Sequence, residues 1–502
     1  MTRNAGTALA LFLSLCTTPL VAAAAASVDA TTVVSDADRA FHAEVAAALQ
    51  QSQGGDSLGA SIMFDRLLAD PRLAALDAEG RSQVWAAAAM VATVQKDDTV
   101  AIQRLQQALA FNPHNADARL RLAWFQLLDD QTEVAADNII LAVADSEGPP
   151  DLPTQMVWHL DSQLKHLPAK RLAMLSGLFD HGWKNDGVEP VELWLTLATL
   201  QLDAGQGDKV PATLERIDTP IALVKLRSDK RFDRYLRRDD PRHDPVAAAR
   251  RQIDRLRVET MLRPGLNDTA VELANALMIA GELRELVGMT DRLAAVANQA
   301  TESPDEEAHA VAWMLDTRSR ALRRLGESDR AVENQQLAVR MAGESSGAVS
   351  QRLNLAGLYV ALQRPLMARE VLPPVDGDMS TYGASTRALI SLIAARQLKD
   401  AGAAQQAWEV VMANRAETPG HYRDALLVDN RMDEAAQAVI AQLADPLQRI
   451  DTLVELQDLR EGPVLPGEVD MHARWKQMEQ RADVQAAVSK VGRIDSYPLF
   501  SY

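Results

Sequence analysis

Residues 82–115 read SQVWAAAAMVATVQKDDTVAIQRLQQALAFNPHN, and the fold turns on them. Small residues at Ala89, Ala101 and Ala108 let two antiparallel helices approach closely. Trp85 and Leu105 fill the space that remains between them, and Pro113 ends the second helix. One such pair cannot bury its apolar face alone, so further copies are expected on both sides.

The copy from Ala116 carries Leu122-Ala123, Ala135, Ile139 and Ala142 before Gly148-Pro149-Pro150 breaks the pattern. A second clear copy covers about Ala312 to Glu344, with Leu322, Leu325-Gly326, Asp329, Ala331-Val332 and Ala338. Another begins near Ser350 with Leu355-Ala356, Tyr359, Ala368 and Leu372, and places Pro365 in its inter-helix turn. Weaker copies are readable at Leu273-Ala274 with Gly281, at Ala403 to Met412, and at Leu426 to Leu443.

The order of Trp85, Ala88-Ala89, Ala101, Leu105, Ala108 and Pro113 resembles the tetratricopeptide repeat (TPR) family, in an exported bacterial form. That resemblance implies an all-α, TPR-like α-solenoid of antiparallel helix pairs in a right-handed superhelix, with a polypeptide partner on its concave face. The family's cationic clamp for chaperone tails is not visible: 82–94 holds no lysine, and Arg81 lies just outside.

The amino-terminal stretch has Arg3, an apolar run from Ala8 to Leu15, Pro19 and small residues from Ala22, the order of a secretory signal peptide. The run falls short of the roughly 20 residues that span a bilayer, so no stable membrane span is expected after cleavage near Ala24 to Ala26. Cys16, the one cysteine, lies within it. Leu15 before it does not suit lipoprotein processing. A mature chain would therefore have no disulfide, thiolate metal site or cysteine nucleophile. Periplasmic or secreted location is the expectation.

The formal charge is −17 and becomes −18 once Arg3 is removed, a field that disfavours nucleic acid as a partner. Aromatic residues make up 4%, which favours many closely packed helices over a β-sandwich. The expected organisation is a signal peptide at 1–26, a first array at 27–150 and an irregular helical middle at 151–245. A second array at 246–446 and a helical cap and tail at 447–502 complete it. Within the cap, Trp475 to Gln485 is similar to the last helical segment of glutathione transferase domains, and reads as one helix with Trp475, Met478 and Val484 covering the array. The aromatics Tyr497, Phe500 and Tyr502 are expected to fold back onto that helix. No strand is expected anywhere.

Catalytic patterns are missing. No HExxH occurs among the nine histidines, no phosphate-cradling loop follows Gly54-Gly55 or Gly205-Gln206-Gly207, and no Gly-x-Ser-x-Gly elbow is present. His159 and His166 lack a carboxylate at ligand spacing, so no metal and no cofactor is expected. The alternative is a helical solenoid or toroid enzyme acting on polysaccharide, with Trp158, Trp183 and Trp194 as sugar platforms. It requires those tryptophans exposed in one cleft.

From Lys225 to Arg257 there are twelve Lys or Arg against six Asp, a net of +6 in an acidic chain. Salt-bridged helices would account for it. The sharper expectation is a docking patch at Arg231, Arg234, Arg237 and Arg238 for an acidic partner or an acidic segment of the same chain. Phe232 and Tyr235 are expected to pack the short helix there onto the preceding pair.

Overall fold

The computed structural model describes residues 36–501, apart from 186, 300–304, 344–346 and 375–378. The signal peptide at 1–26 and Tyr502 lie outside the described residues. The chain divides between Gln206 and Gly207 into two compact units, a division that falls within the expected middle segment.

The first unit is built of α1 (Asp36–Gln53), α2 (Ser57–Ala69), α3 (Pro71–Ala75), α4 (Ala78–Val94), α5 (Asp98–Phe111), α6 (Ala116–Leu128), α7 (Thr132–Ala144), α8 (Thr154–Gln163), α9 (Pro168–Asp180) and α10 (Val191–Asp203). Asp56, Asp70, Asp77, Asp97 and Asn115 each accept a backbone N–H from the helix they precede, which fixes where α2 to α6 begin. The pair read from residues 82–115 is α4 and α5. Between them Ala89, Ala101, Ala108 and Leu105 are fully buried, as the spacing predicts.

The second unit contains α11 (Val210–Leu214), α12 (Pro220–Ser228), α13 (Pro245–Leu262), α14 (Asp268–Ala280), α15 (Leu283–Gln299), α16 (Asp305–Arg324), α17 (Ser328–Ala342), α18 (Ala348–Ala361), α19 (Pro365–Val371), α20 (Thr381–Leu398), α21 (Ala401–Ala413), α22 (Pro419–Val428) and α23 (Met432–Ala444). It ends with α24 (Arg449–Glu455), β1 (Asp458–Arg460), α25 (Val469–Glu479), α26 (Ala482–Val491) and β2 (Ser496–Phe500).

One turn recurs through both units. Gly55, Lys96, Asp130, Gly281, Gly326, Gln363, Lys399 and Asn430 each stand one or two residues past a first helix with φ between 56° and 94°. The next N–H in every case, from Asp56 to Arg431, donates to the carbonyl five residues back at 2.8–3.1 Å. This is the Schellman termination, which satisfies the last carbonyls of a helix and reverses the chain. Repetition of this turn along both units makes each an all-α, TPR-like stack of antiparallel helix pairs. Pro365 does not interrupt its pair: it opens α19, where a missing N–H leaves no bond unmade.

The second unit is closed by its own carboxy-terminal segment. α24 packs on α23 at one end of the array and on α12 at the other. The chain then crosses the carboxy-terminal ends of the first helices in order. Arg460 lies against Gly281, Gly462 against Arg324, and Pro463 against Gly326. Leu465 is buried with Leu322 and Leu358. Gly467 N–H donates to the Ala361 carbonyl at 2.7 Å, and Arg474 donates to the carbonyls of Leu427 and Val428 at 2.7 and 2.8 Å. Helix-end carbonyls of α18 and α22 thus find donors in this strap.

Three expectations are corrected. The chain is not helical throughout, because β1 and β2 pair in parallel, Asp458 with Ser496 and Leu459 with Tyr497. The tail does not fold onto the last helix: Tyr497 and Leu499 are buried with Ile221, Val224 and Ala249, and Phe500 with Ile253 and Leu273. Alternate side chains of β2 find apolar ground on α12, α13 and α14, which the final helix could not offer. Finally, Trp475 to Gln485 is two helices broken at Gln480-Arg481, although Trp475, Met478 and Val484 do cover α22 and α23.

Candidate functional site

The basic segment begins at the end of α12 and runs through two short 3-10 turns, Lys230–Phe232 and Pro241–His243, into α13. Asp229 and Asp240 each accept the N–H two residues on and grip an arginine there, Arg231 at 2.7 Å and Arg242 at 2.7 Å. Such Asx turns let a charge-rich stretch keep a fixed path. Phe232 is fully buried as expected, and Tyr235 is half-buried.

The four arginines singled out by sequence do not converge. Arg231 lies on Asp229, Arg234 stacks over the Tyr235 ring at 4.6 Å, and Arg237 pairs with exposed Asp239 at 3.1 Å. Arg238 reaches Asp495 of the tail at 2.9 Å. On α13, Ile253 and Leu256 point inward, while Arg255 and Arg257 pair with Asp218 and Glu285 on other elements. Much of the positive charge is therefore met by acidic groups of the same unit.

Arg238 does share a cavity of about 400 Å³ with Arg227, Asp233, Leu236 and Arg493. Arg493 holds Asp233 through both carboxylate oxygens, one at 2.7 Å. Asp233 in turn holds the Arg493 guanidinium above its ordinary pKa, although burial opposes this. Arg238 and Arg493 both donate to the carbonyl of Arg227, at 3.0 and 2.8 Å. Beside them burial, then the Asp495 charge, pushes the Tyr497 hydroxyl above 10.0. Sequence reading missed Arg227 and Arg493. Arg227 lay inside the basic run with nothing to distinguish it, and Arg493 reaches the site from 260 residues away.

A second candidate is the row of first helices of successive pairs, which meet through polar contacts. Asn354 on α18 donates to Asp316 on α16 at 2.8 Å, and Thr418, just before α22, donates to Ser385 on α20 at 2.9 Å. The Tyr382 ring stands edge-on to His421 with centroids 4.8 Å apart, and is 67% exposed. Burial pulls the imidazole of His421 below its usual range. Thr386 donates its hydroxyl to the Tyr382 carbonyl, so His421 Nε2–H is the donor to Thr386 Oγ1 at 2.9 Å.

The three candidate sugar platforms are separated in role. Trp183 and Trp194 are 3% and 0% exposed, with ring N–H groups donating to the Leu152 carbonyl and Glu189. Only Trp158 of the three reaches the surface, so they form no stacking cleft. His159 and His166 are exposed, and no group of three or more His, Cys, Asp or Glu suited to a metal ion occurs among the described residues. Among the same residues no helix is long and apolar enough to cross a membrane.

No protein-family model and no curated protein matches the chain. Among solved structures it is similar to the TPR domain of P58(IPK), at 13% identity over 88% of this chain and 99% of that one, with a TM-score of 0.21. It is also similar to a chain of the APC/C hetero-tetramer Cut9-Hcn1, at 14% identity over 91% and 96%, TM-score 0.28. A circular tandem repeat protein with enhanced subunit contact surfaces matches at 13% identity over 88% and 90%, TM-score 0.13. The TPR-like fold rests on the recurring turn and the helix pairs it closes.

Proposed function

We propose that the chain is an exported scaffold that binds polypeptide, acts in envelope assembly or secretion, and has no catalytic apparatus of its own. The observation that carries the reading is the exposed Tyr382 held by His421 of the next first helix. Such a surface extends from repeat to repeat, and a rigid aromatic with neighbouring polar groups suits a chain laid across it. The signal-like amino terminus supports periplasmic or secreted location.

The test replaces Tyr382 with a photocrosslinking phenylalanine analogue in intact cells, with Leu366 on α19 replaced as the control. Polypeptide adducts at 382 and few at 366 are expected. Equal labelling at both positions, or none at 382, would contradict a binding face there. Sequencing of the mature amino terminus should find a start just after one of Ala24 to Ala26; an intact Met1 would remove the export reading.

A further inference from the structure

We infer that the cavity of Arg227, Arg238 and Arg493 is a binding site for a carboxylate group of an acidic ligand. It lies off the first-helix surfaces, where α12, the following turns and the tail meet, and all of its residues belong to the second unit.

Two guanidinium groups, of Arg238 and Arg493, meet at the carbonyl of Arg227, and the Arg227 side chain lines the same cavity. Each of those two has a carboxylate, Asp233 on Arg493 and Asp495 on Arg238. Arg227 has none among the described residues: its Nη1 donates to the carbonyls of Arg238 and His243 at 3.3 and 3.1 Å, and its Nε is buried without a partner. The group therefore keeps one positive charge in excess. Like charges held this closely favour an added anion.

The two internal carboxylates show which anion these arginines accept. Asp233 meets Arg493 through two oxygens, the bidentate geometry that a planar guanidinium offers a carboxylate. A cavity of about 400 Å³ with Leu236 as its apolar wall has room for a glutamate-sized group. One carboxylate there would neutralise the excess. Both a short acidic peptide and a free dicarboxylate carry it, and the experiment separates these sources.

The inference rests on reading the chain as a binding protein. The intact protein is titrated calorimetrically with an acetylated tetra-glutamate peptide amide, with glutarate and with inorganic phosphate. Binding of the peptide, weakened about tenfold by Arg227→Gln and by added salt, is expected. Binding of glutarate alone supports the site with a free acid as its source. Phosphate binding as tight as either, or no binding of any probe, overturns it.

Arg227→Gln removes bonds to two carbonyls and could unfold the turns, so Leu236→Asp is the second variant. It supplies a carboxylate at the wall, and should abolish binding with every arginine in place; unchanged affinity would overturn the site. Adducts at position 382 that persist while the titration fails would sink the pocket alone. Intact titration without adducts would sink only the scaffold reading.

Discussion

Arg493, in the last connection of the chain, grips Asp233 through both carboxylate oxygens across 260 residues of sequence. Beside it, Gly492 bridges to Asp229, and Arg493 N–H donates to the Ser228 carbonyl at 2.9 Å. These contacts fasten the tail to the start of the array that α24 has already reached. Lys225–Asp451 at 3.2 Å joins the same two ends. The pair is part exposed, so it is worth about 1 kcal/mol and is screened by salt. A double-mutant cycle of Asp233→Asn and Arg493→Met in urea should give that coupling at low ionic strength and less at high. Zero coupling would mean the pair adds nothing to closure.

The strap is held most tightly at Gly467. A Cβ there would stand 2.1 Å from the Val360 carbonyl oxygen and 2.9 Å from that of Ala361. Backbone cannot yield by so much, so Gly467→Ala should destabilise the second unit by roughly 2–4 kcal/mol. Gly288 in α15 has nothing within 4 Å of its added Cβ, and Gly288→Ala should stabilise by about 1 kcal/mol. Equal urea midpoints for the two variants would show that the strap does not bear on the helix ends.

The turn that closes each pair forces residues other than glycine into the left-handed region. Lys399, at φ 58°, is one. That conformation costs an L-residue with a side chain about 1–2 kcal/mol. Lys399→Gly should therefore raise stability by roughly 0.5–1 kcal/mol, the reverse of its effect inside a helix. A lower midpoint than the wild type would contradict the turn.

Acid should weaken the second unit through His421. Burial sets its folded pKa below the ordinary 6.5, Arg423 adds to this, and Asp424 opposes it. The unfolded chain therefore takes up this proton first as pH falls. Stability from this group is complete above 6.5, falls as pH drops toward the depressed value, and is flat below it. His421→Gln should lose less stability than the wild type between about pH 7.5 and 5.5. A wild type that gains on acidification relative to the variant would reverse the sign.

Helix pairs were legible where they are packed by alanine: Ala89, Ala101 and Ala108 declare close approach through size alone. The turns were legible at Gly281 and Gly326 but not at Lys96, Gln363 or Lys399, because the Schellman bond overrides the residue's own preference there. The strap was hidden for another reason. Its partners, from Gly281 to Val428, are distant in sequence, and its short turns carry no period. Ser496 to Leu499 does alternate exposed and buried, but so short a run in a helical chain gives that pattern little weight. Of the candidate site, only Arg238 was both named from sequence and found at the cavity. Net charge marked the region, whereas convergence on the Arg227 carbonyl belongs to tertiary structure.

Closure itself is open to direct measurement. A linear stack of repeats frays from its ends, because each terminal element has one neighbour. In the second unit α12, α24 and β2 are joined, so neither α12 nor β2 is a free end of that kind. Native-state amide exchange followed by mass spectrometry should give the amides of α12 and β2 the same opening free energy as those of α18 in the middle. A gradient of protection falling from α18 toward α12 and β2 would contradict a closed array.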